Sequence, residues 1–171
     1  EHAGGEYNAR RAEVEEGTRI LHRRWPSIVA LRDATEEQLV ECKQQMPENV
    51  FRRCRHIITE NKRVQLAASA LERGDLPAFG VLMAEAHRSI RDDFEASCSE
   101  LDTLVEIASG IPGCYGARMT GGGFGGCTVN LVEESKAQQF RGAIHRQYRA
   151  STGIDADIYL CRASAGATRI S

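Results

Sequence analysis

With 171 residues, 42% hydrophobic and 27% charged, the chain has the make-up of one globular domain large enough to build a core. Its formal net charge of −2 gives no electrostatic case for nucleic acid, and no apolar run approaches the length of a membrane-spanning helix. The six cysteines (Cys42, Cys54, Cys98, Cys114, Cys127 and Cys161) form no C-x-x-C pair and fit no zinc spacing; they read as reduced, mostly buried thiols of a cytoplasmic protein.

Residues 7–24 predict a charged helix anchored by Val14, Ile20 and Leu21, which Trp25-Pro26 ends because the residue before proline avoids the helical region. Thr35-Glu36-Glu37-Gln38 is a capping box opening a short helix. Residues 48–73 place Val50, Cys54, Ile57, Ile58, Val64, Ala68 and Leu71 on one helical face. Gly74 is a C-terminal stop and Asp75 the N-cap of a further helix, whose apolar set is Leu76, Phe79, Met83, Ala86, Ile90 and Phe94. The tight Gly74-Asp75 link predicts that these two long helices are antiparallel. Ser99-Glu100-Leu101-Asp102 is expected to cap another helix running to about Ala108.

The pattern changes after Ile111-Pro112-Gly113. Residues 115–119 and 127–132 predict strands, the second by its alternation. Residues 134–150 carry Ala137, Phe140, Ile144 and Tyr148 at helical spacing, and residues 157–161 predict a last strand. The whole reads as a single α+β domain over 1–171, a small antiparallel sheet packed against several helices. The chain opens at Glu1 without an initiator methionine and shows no signal-peptide pattern, so it is expected to be a piece of a longer protein.

Between the two predicted strands lies Gly121-Gly122-Gly123-Phe124-Gly125-Gly126. Glycine loses the most backbone entropy on ordering, so such a run is costly. It gives φ > 0 geometry and close approach of backbone N–H groups to a partner, and phosphate uses such a loop best. The run matches G-x-G-x-x-G, but a strand follows where a dinucleotide fold needs a helix. Cys127-Thr128 stands where a Walker A loop has its lysine, and no protein-kinase motifs are present. A strained hairpin without a ligand is the alternative, although a two-residue turn needs far fewer glycines.

Other candidates read as structural. Arg52-Arg53-Cys54-Arg55-His56 is expected to be a solvated helix face. The five histidines include no pair at i, i+4 and no H-E-x-x-H, and read as solvated or core-edge. Asp92 and Asp93 point about 100° apart on a helix, which suits N–H or arginine partners better than Mg²⁺. Arg118 is expected to pair with Asp92 or Asp93 or to meet a phosphate. The residues alone leave the purpose of Tyr7-Asn8-Ala9-Arg10-Arg11 open.

Taken together, these phrases carry a resemblance. Arg118-Met119-Thr120-Gly121-Gly122-Gly123-Phe124-Gly125-Gly126-Cys127 resembles the third signature motif of galactokinases, in the GHMP small-molecule kinase superfamily. Glu6-Tyr7-Asn8-Ala9-Arg10-Arg11, His87-Arg88-Ser89-Ile90-Arg91-Asp92-Asp93-Phe94-Glu95 and Ala163-Ser164-Ala165-Gly166-Ala167 resemble further phrases of that family in the same order. The resemblance implies the C-terminal half of a galactokinase, a ferredoxin-like GHMP kinase C-terminal domain. The full protein would use ATP and Mg²⁺ to convert galactose to galactose 1-phosphate. It implies that Gly121, Gly122, Gly123, Phe124 and Gly125 lie beside the phosphates and that Tyr7 approaches the sugar. The catalytic aspartate, the metal ligands and the main ATP loop would belong to an N-terminal domain, so this chain holds no catalytic residue and is expected to be inactive alone. A surface that normally faces that domain is a possible route to dimers. The alternatives are a kinase for N-acetylgalactosamine or galacturonate, a non-catalytic galactokinase-like ligand sensor, and an α+β interaction domain.

Overall fold

The structure, a computed structural model, describes residues 2–164; Ala165, Gly166 and Ala167 of the C-terminal phrase lie outside them. Six helices and two strands follow in the order α1 (His2–Arg24), α2 (Glu36–Glu41), α3 (Glu48–Glu72), α4 (Leu76–Ser89), α5 (Ser99–Gly110), β1 (Cys114–Thr120), β2 (Cys127–Val132) and α6 (Ala137–Thr152). A π-helical turn, Ile90–Phe94, continues α4.

Several boundaries follow from single residues. α1 stops at Arg24, ahead of Trp25-Pro26. At α2, the Gln38 N–H donates to Thr35 Oγ1 at 3.3 Å and the Thr35 N–H donates to Gln38 Oε1 at 2.9 Å, completing the capping box. Gly74, at φ +68°, closes α3, and Asp75 Oδ1 accepts the Ala78 N–H at 3.0 Å to open α4. The α5 cap differs from expectation: extended Cys98 is the N-cap and makes no side-chain cap bond, so Ser99 is already the first helical residue.

The core has three parts. Leu21, Ile28, Leu39, Val50, Cys54 and Ile58 fill the space between α1, α2 and α3. Val105, Ala108, Ala117, Phe140 and Ile144 join α5, α6 and β1. Between them Ile90, Ala96, Leu101 and Met119 form a smaller cluster, with Phe124 packed on its rim. α3 outruns the first cluster, so Val64 (60% exposed) and Leu71 (49%) face outward, against expectation.

β1 and β2 pair antiparallel, with Thr120 opposite Cys127 and Arg118 opposite Val129, and a register shift between Cys114 and Gly116. Together with the helices this is the expected α+β architecture. The strand expected over 157–161 does not form: the segment carries no regular structure and finds no ladder partner among the described residues. Only its Ile158 packs on the α5–α6 core, while Tyr159 is 81% exposed.

α4 lies on β1 backbone to backbone. A Cβ on Gly80 would fall 1.7 Å from the Tyr115 carbonyl oxygen, and one on Gly116 would fall 2.6 Å from the Gly80 Cα. Two glycines therefore set the distance between helix and sheet, and this contact places the β1–β2 loop.

Candidate functional site

The glycine loop is the six-residue connection between β1 and β2, and its backbone is mostly left-handed. Gly121, Gly123, Gly125 and Gly126 have φ of +94°, +80°, +125° and +106°, and Phe124 has φ +59°. Four of these positions are free for glycine; for Phe124 the conformation costs about 1 kcal/mol or more. Its N–H donates to the Ala96 carbonyl at 2.8 Å, and its ring packs on the Ile90–Met119 cluster. Among the described residues, no other loop amide makes a backbone hydrogen bond outside the strand ladder. The amides of Gly121 and Gly122 lie on exposed residues, and those of Gly123 and Gly125 on half-buried ones.

The glycines divide by cause. A Cβ on Gly123 would fall 2.2 Å from the Ala96 carbonyl oxygen, so this glycine is needed by the fold itself. Nothing lies within 4 Å of a Cβ at Gly121, Gly122 or Gly125. Gly122 has, in addition, no left-handed φ. Neither conformation nor packing explains a glycine there, and open space over unpartnered amides is what a bound anion would use.

α1 reaches this loop through Arg10, which the sequence did not single out as more than part of a cluster. Arg10 Nε donates to the Phe94 carbonyl at 2.7 Å and Nη2 to the Glu95 carbonyl at 3.0 Å. Its guanidinium carbon lies 5.7 Å from the Phe124 ring centroid. Tyr7 stands three residues earlier on the same helix, 58% exposed. Tyr7 thus stands about one helical turn before Arg10, the α1 residue that reaches the loop.

The His87–Glu95 phrase is structural. Within the basic run of α3, Arg53 is 2% exposed, and Cys54 and His56 are also buried, which corrects the expectation of a solvated face. Arg53 is drawn inward by acceptors: Nε donates to Glu13 Oε2 at 2.8 Å, Nη1 to the Asp93 carbonyl at 2.6 Å and Nη2 to Glu95 Oε2 at 2.5 Å. Arg52 adds Glu95 Oε1 at 2.5 Å, and Asn49 donates to Glu13 Oε1 at 2.8 Å. The Arg53 bond holds the Glu95 carboxyl below its ordinary range, against a smaller effect of burial. Burial pushes Glu13 the other way, but the bonds from Arg53 and Asn49 outweigh it, and its pKa is also lowered.

Arg55 grips Asp93, and Arg91 pairs with Asp92 at 2.7 Å, so both carboxylates have arginine partners. Arg118 pairs with neither; its partner is Glu60, at 3.5 Å. His56 Nδ1 lies 2.9 Å from Ser89 Oγ, and burial pushes its pKa down to about 4, so the ring is neutral near pH 7. His87 accepts the Met119 N–H on Nδ1 at 3.3 Å and brings Nε2 to 3.1 Å from Asp102 Oδ1, out of line for a good hydrogen bond. These two histidines are buried, deeper than the core edge expected of them.

Among the described residues no group of three or more His, Cys, Asp or Glu side chains is placed to hold a metal ion, and no helix is long and apolar enough to cross a membrane. All six cysteines are free; Cys42 and Cys54 are buried, while Cys127 and Cys161 are exposed, so fewer are buried than expected.

Residues 67–150 match the family model described as GHMP kinases C terminal. The chain is 46% identical over 168 residues to a galactokinase of Roseiflexus sp. (strain RS-1), covering 98% of this chain and 43% of that protein. It is 48% identical over 164 residues to a galactokinase of Chloroflexus aggregans (strain MD-66 / DSM 9485), covering 96% and 42%. The crystal structure of Lactococcus lactis galactokinase complexed with galactose superposes with a TM-score of 0.85 at 37% identity, over 90% of this chain and 40% of that one. The chain thus spans about two fifths of the length of the relatives it matches. Sequence, family model and fold agree: residues 67–150 carry the GHMP kinases C-terminal domain, and the chain is similar along nearly its whole length to part of the galactokinases.

Proposed function

We propose that the full-length protein is a galactokinase, transferring the γ-phosphoryl group of ATP to the anomeric hydroxyl of galactose, and that this chain forms one wall of the cleft. The observation that carries the reading within this chain is the loop of unpartnered amides at Gly121, Gly122, Gly123 and Gly125, with unfilled space above three of them. Such amides donate to phosphate oxygens without a side-chain charge, and phosphoryl transfer depends chiefly on positioning and charge neutralisation. The exposed Tyr7, about one helical turn before Arg10, is the sugar-contact residue in this reading. The relatives named galactokinase, and the neighbour solved with galactose, favour this sugar over N-acetylgalactosamine or galacturonate and favour turnover over a sensor role.

In this reading, as the resemblance implies, the Mg²⁺ ligands, the general base and the main ATP loop belong to the remainder of the protein. The free thiols suit a cytoplasmic setting, and dimerisation through the face that meets the other domain belongs to the same proposal.

Purified full-length protein is expected to turn over ATP in a galactose-dependent way at roughly 1–1000 s⁻¹, with kcat/KM at least about tenfold lower for N-acetylgalactosamine and galacturonate. The chain alone, folded by circular dichroism, is expected to show no turnover. Absence of galactose-dependent turnover by the full protein, or turnover by the chain alone, contradicts the proposal.

A further inference from the structure

We infer that Arg10 is a positioning residue that sets the conformation of the glycine loop, and so the affinity for the phosphate-bearing substrate, without touching that substrate. The inference rests on the reading of the loop as a phosphate wall. Its geometry is a chain of contacts. The Arg10 fork fixes two successive carbonyls, Phe94 at 2.7 Å and Glu95 at 3.0 Å, where the backbone turns left-handed at Glu95 (φ +51°). The next residue, Ala96, is the loop's anchor: its carbonyl accepts the Phe124 N–H at 2.8 Å and its oxygen lies 2.2 Å from where a Cβ on Gly123 would be. The carbon of the same guanidinium lies 5.7 Å from the Phe124 ring centroid. Arg10 therefore holds both the platform on which the loop rests and the one aromatic side chain that pins it.

The charge of Arg10 is already matched. Glu6 and Glu13 lie at 3.6 Å and Glu95 at 3.9 Å, and the side chain is only 12% exposed. Glu6, Glu13 and Glu95 together balance Arg10, Arg52 and Arg53, and the short bonds of Arg10 run to backbone carbonyls, so the residue acts through its directional bonds. A lysine keeps the charge and loses the fork. A leucine at Phe124 keeps an apolar plug and loses the ring.

The test is steady-state kinetics of the full-length protein carrying Arg10→Lys, Phe124→Leu and both together, with the thermal midpoint of each measured in parallel. Arg10→Lys is expected to raise the KM for ATP about tenfold while the KM for galactose stays within about twofold. Phe124→Leu is expected to do the same, and the double variant to be no more than about twofold worse than the weaker single, because both act on one contact. Should Arg10→Lys fail to fold, Arg10→Gln, which retains a donor, takes its place under the same criteria. Equal rises in both KM values, a fall in thermal midpoint with both KM values unchanged, or effects that multiply in the double variant would each overturn the inference. Gly122→Ala, run alongside, separates the two failures. If it raises the ATP KM and Arg10→Lys does not, the inference alone falls; if it leaves the ATP KM unchanged, the reading of the loop falls with it.

Discussion

Gly80→Val is expected to destabilise this domain severely. The Cβ that valine brings would lie 1.7 Å from the Tyr115 carbonyl oxygen and 3.2 Å from the Gly116 amide nitrogen, and both are backbone atoms of β1 that no rotamer change can move aside. Relief requires α4 to lift off the strand. That would open the packing of α4 on β1, to which Gly80 and Gly116 contribute from opposite sides. Overpacking of a well-filled core typically costs about 1–3 kcal/mol. A clash of a Cβ with fixed backbone belongs above that range, at about 4 kcal/mol or more, a large share of a domain's whole stability. Soluble expression and chemical denaturation of the full-length protein check it. A variant within about 1 kcal/mol of the parent would show that helix and sheet are not held at this distance.

The second large effect is Arg53→Met. Methionine fills a similar volume, so little of the loss is packing. What is lost is three charge-assisted bonds, to Glu13, to the Asp93 carbonyl and to Glu95, leaving the Glu13 carboxylate, only 19% exposed, short of its main partner. Removing one side of a buried ion pair costs about 3–5 kcal/mol. Glu95 remains partly solvated and keeps Arg52, which places the expected loss near the lower end, at about 3 kcal/mol. The pH dependence has a definite sign. Both carboxylates have folded pKa values below the ordinary 4.5, so their contribution is present above that pH and is lost as pH falls through the folded values. Arg53→Met is therefore expected to show a shallower loss of stability with acid than the parent. A loss of under 1 kcal/mol with an unchanged acid profile would contradict the account of this network.

What was legible in the sequence was local. Thr35 with Gln38, and Gly74 with Asp75, announce helix ends because their bonds close within four residues, and the spacing of Val50, Cys54 and Ile58 announces a buried face. What was not legible depended on partners far along the chain. Arg53 has the sequence context of a solvated arginine, and only the acceptors on Glu13, Asp93 and Glu95 turn it inward. Gly80 reads as an ordinary helical glycine until Gly116 is placed against it. Residues 157–161 have strand-like composition, but a strand exists only where a ladder partner does, and none of the described residues supplies one.

At the candidate site the glycine run was found, but its members were not separable by sequence. Gly123 had the same standing as Gly122, yet one is required by the Ala96 carbonyl and the other by nothing in the fold. A bulky residue at Gly123 would therefore test folding rather than ligand binding. The Arg10 contact was foreshadowed only by its place three residues after Tyr7.

The loop's role as a wall for phosphate is tested most directly by Gly122→Ala in the full-length protein. This position has no left-handed φ, and an added Cβ meets nothing within 4 Å, so the methyl group is accommodated in the free protein. The measurement is the ATP KM beside the thermal midpoint. The expected result is an ATP KM raised about tenfold or more with the midpoint unchanged, because only a bound phosphate contends with that methyl group. An unchanged ATP KM would contradict the central claim that the phosphate rests on this loop.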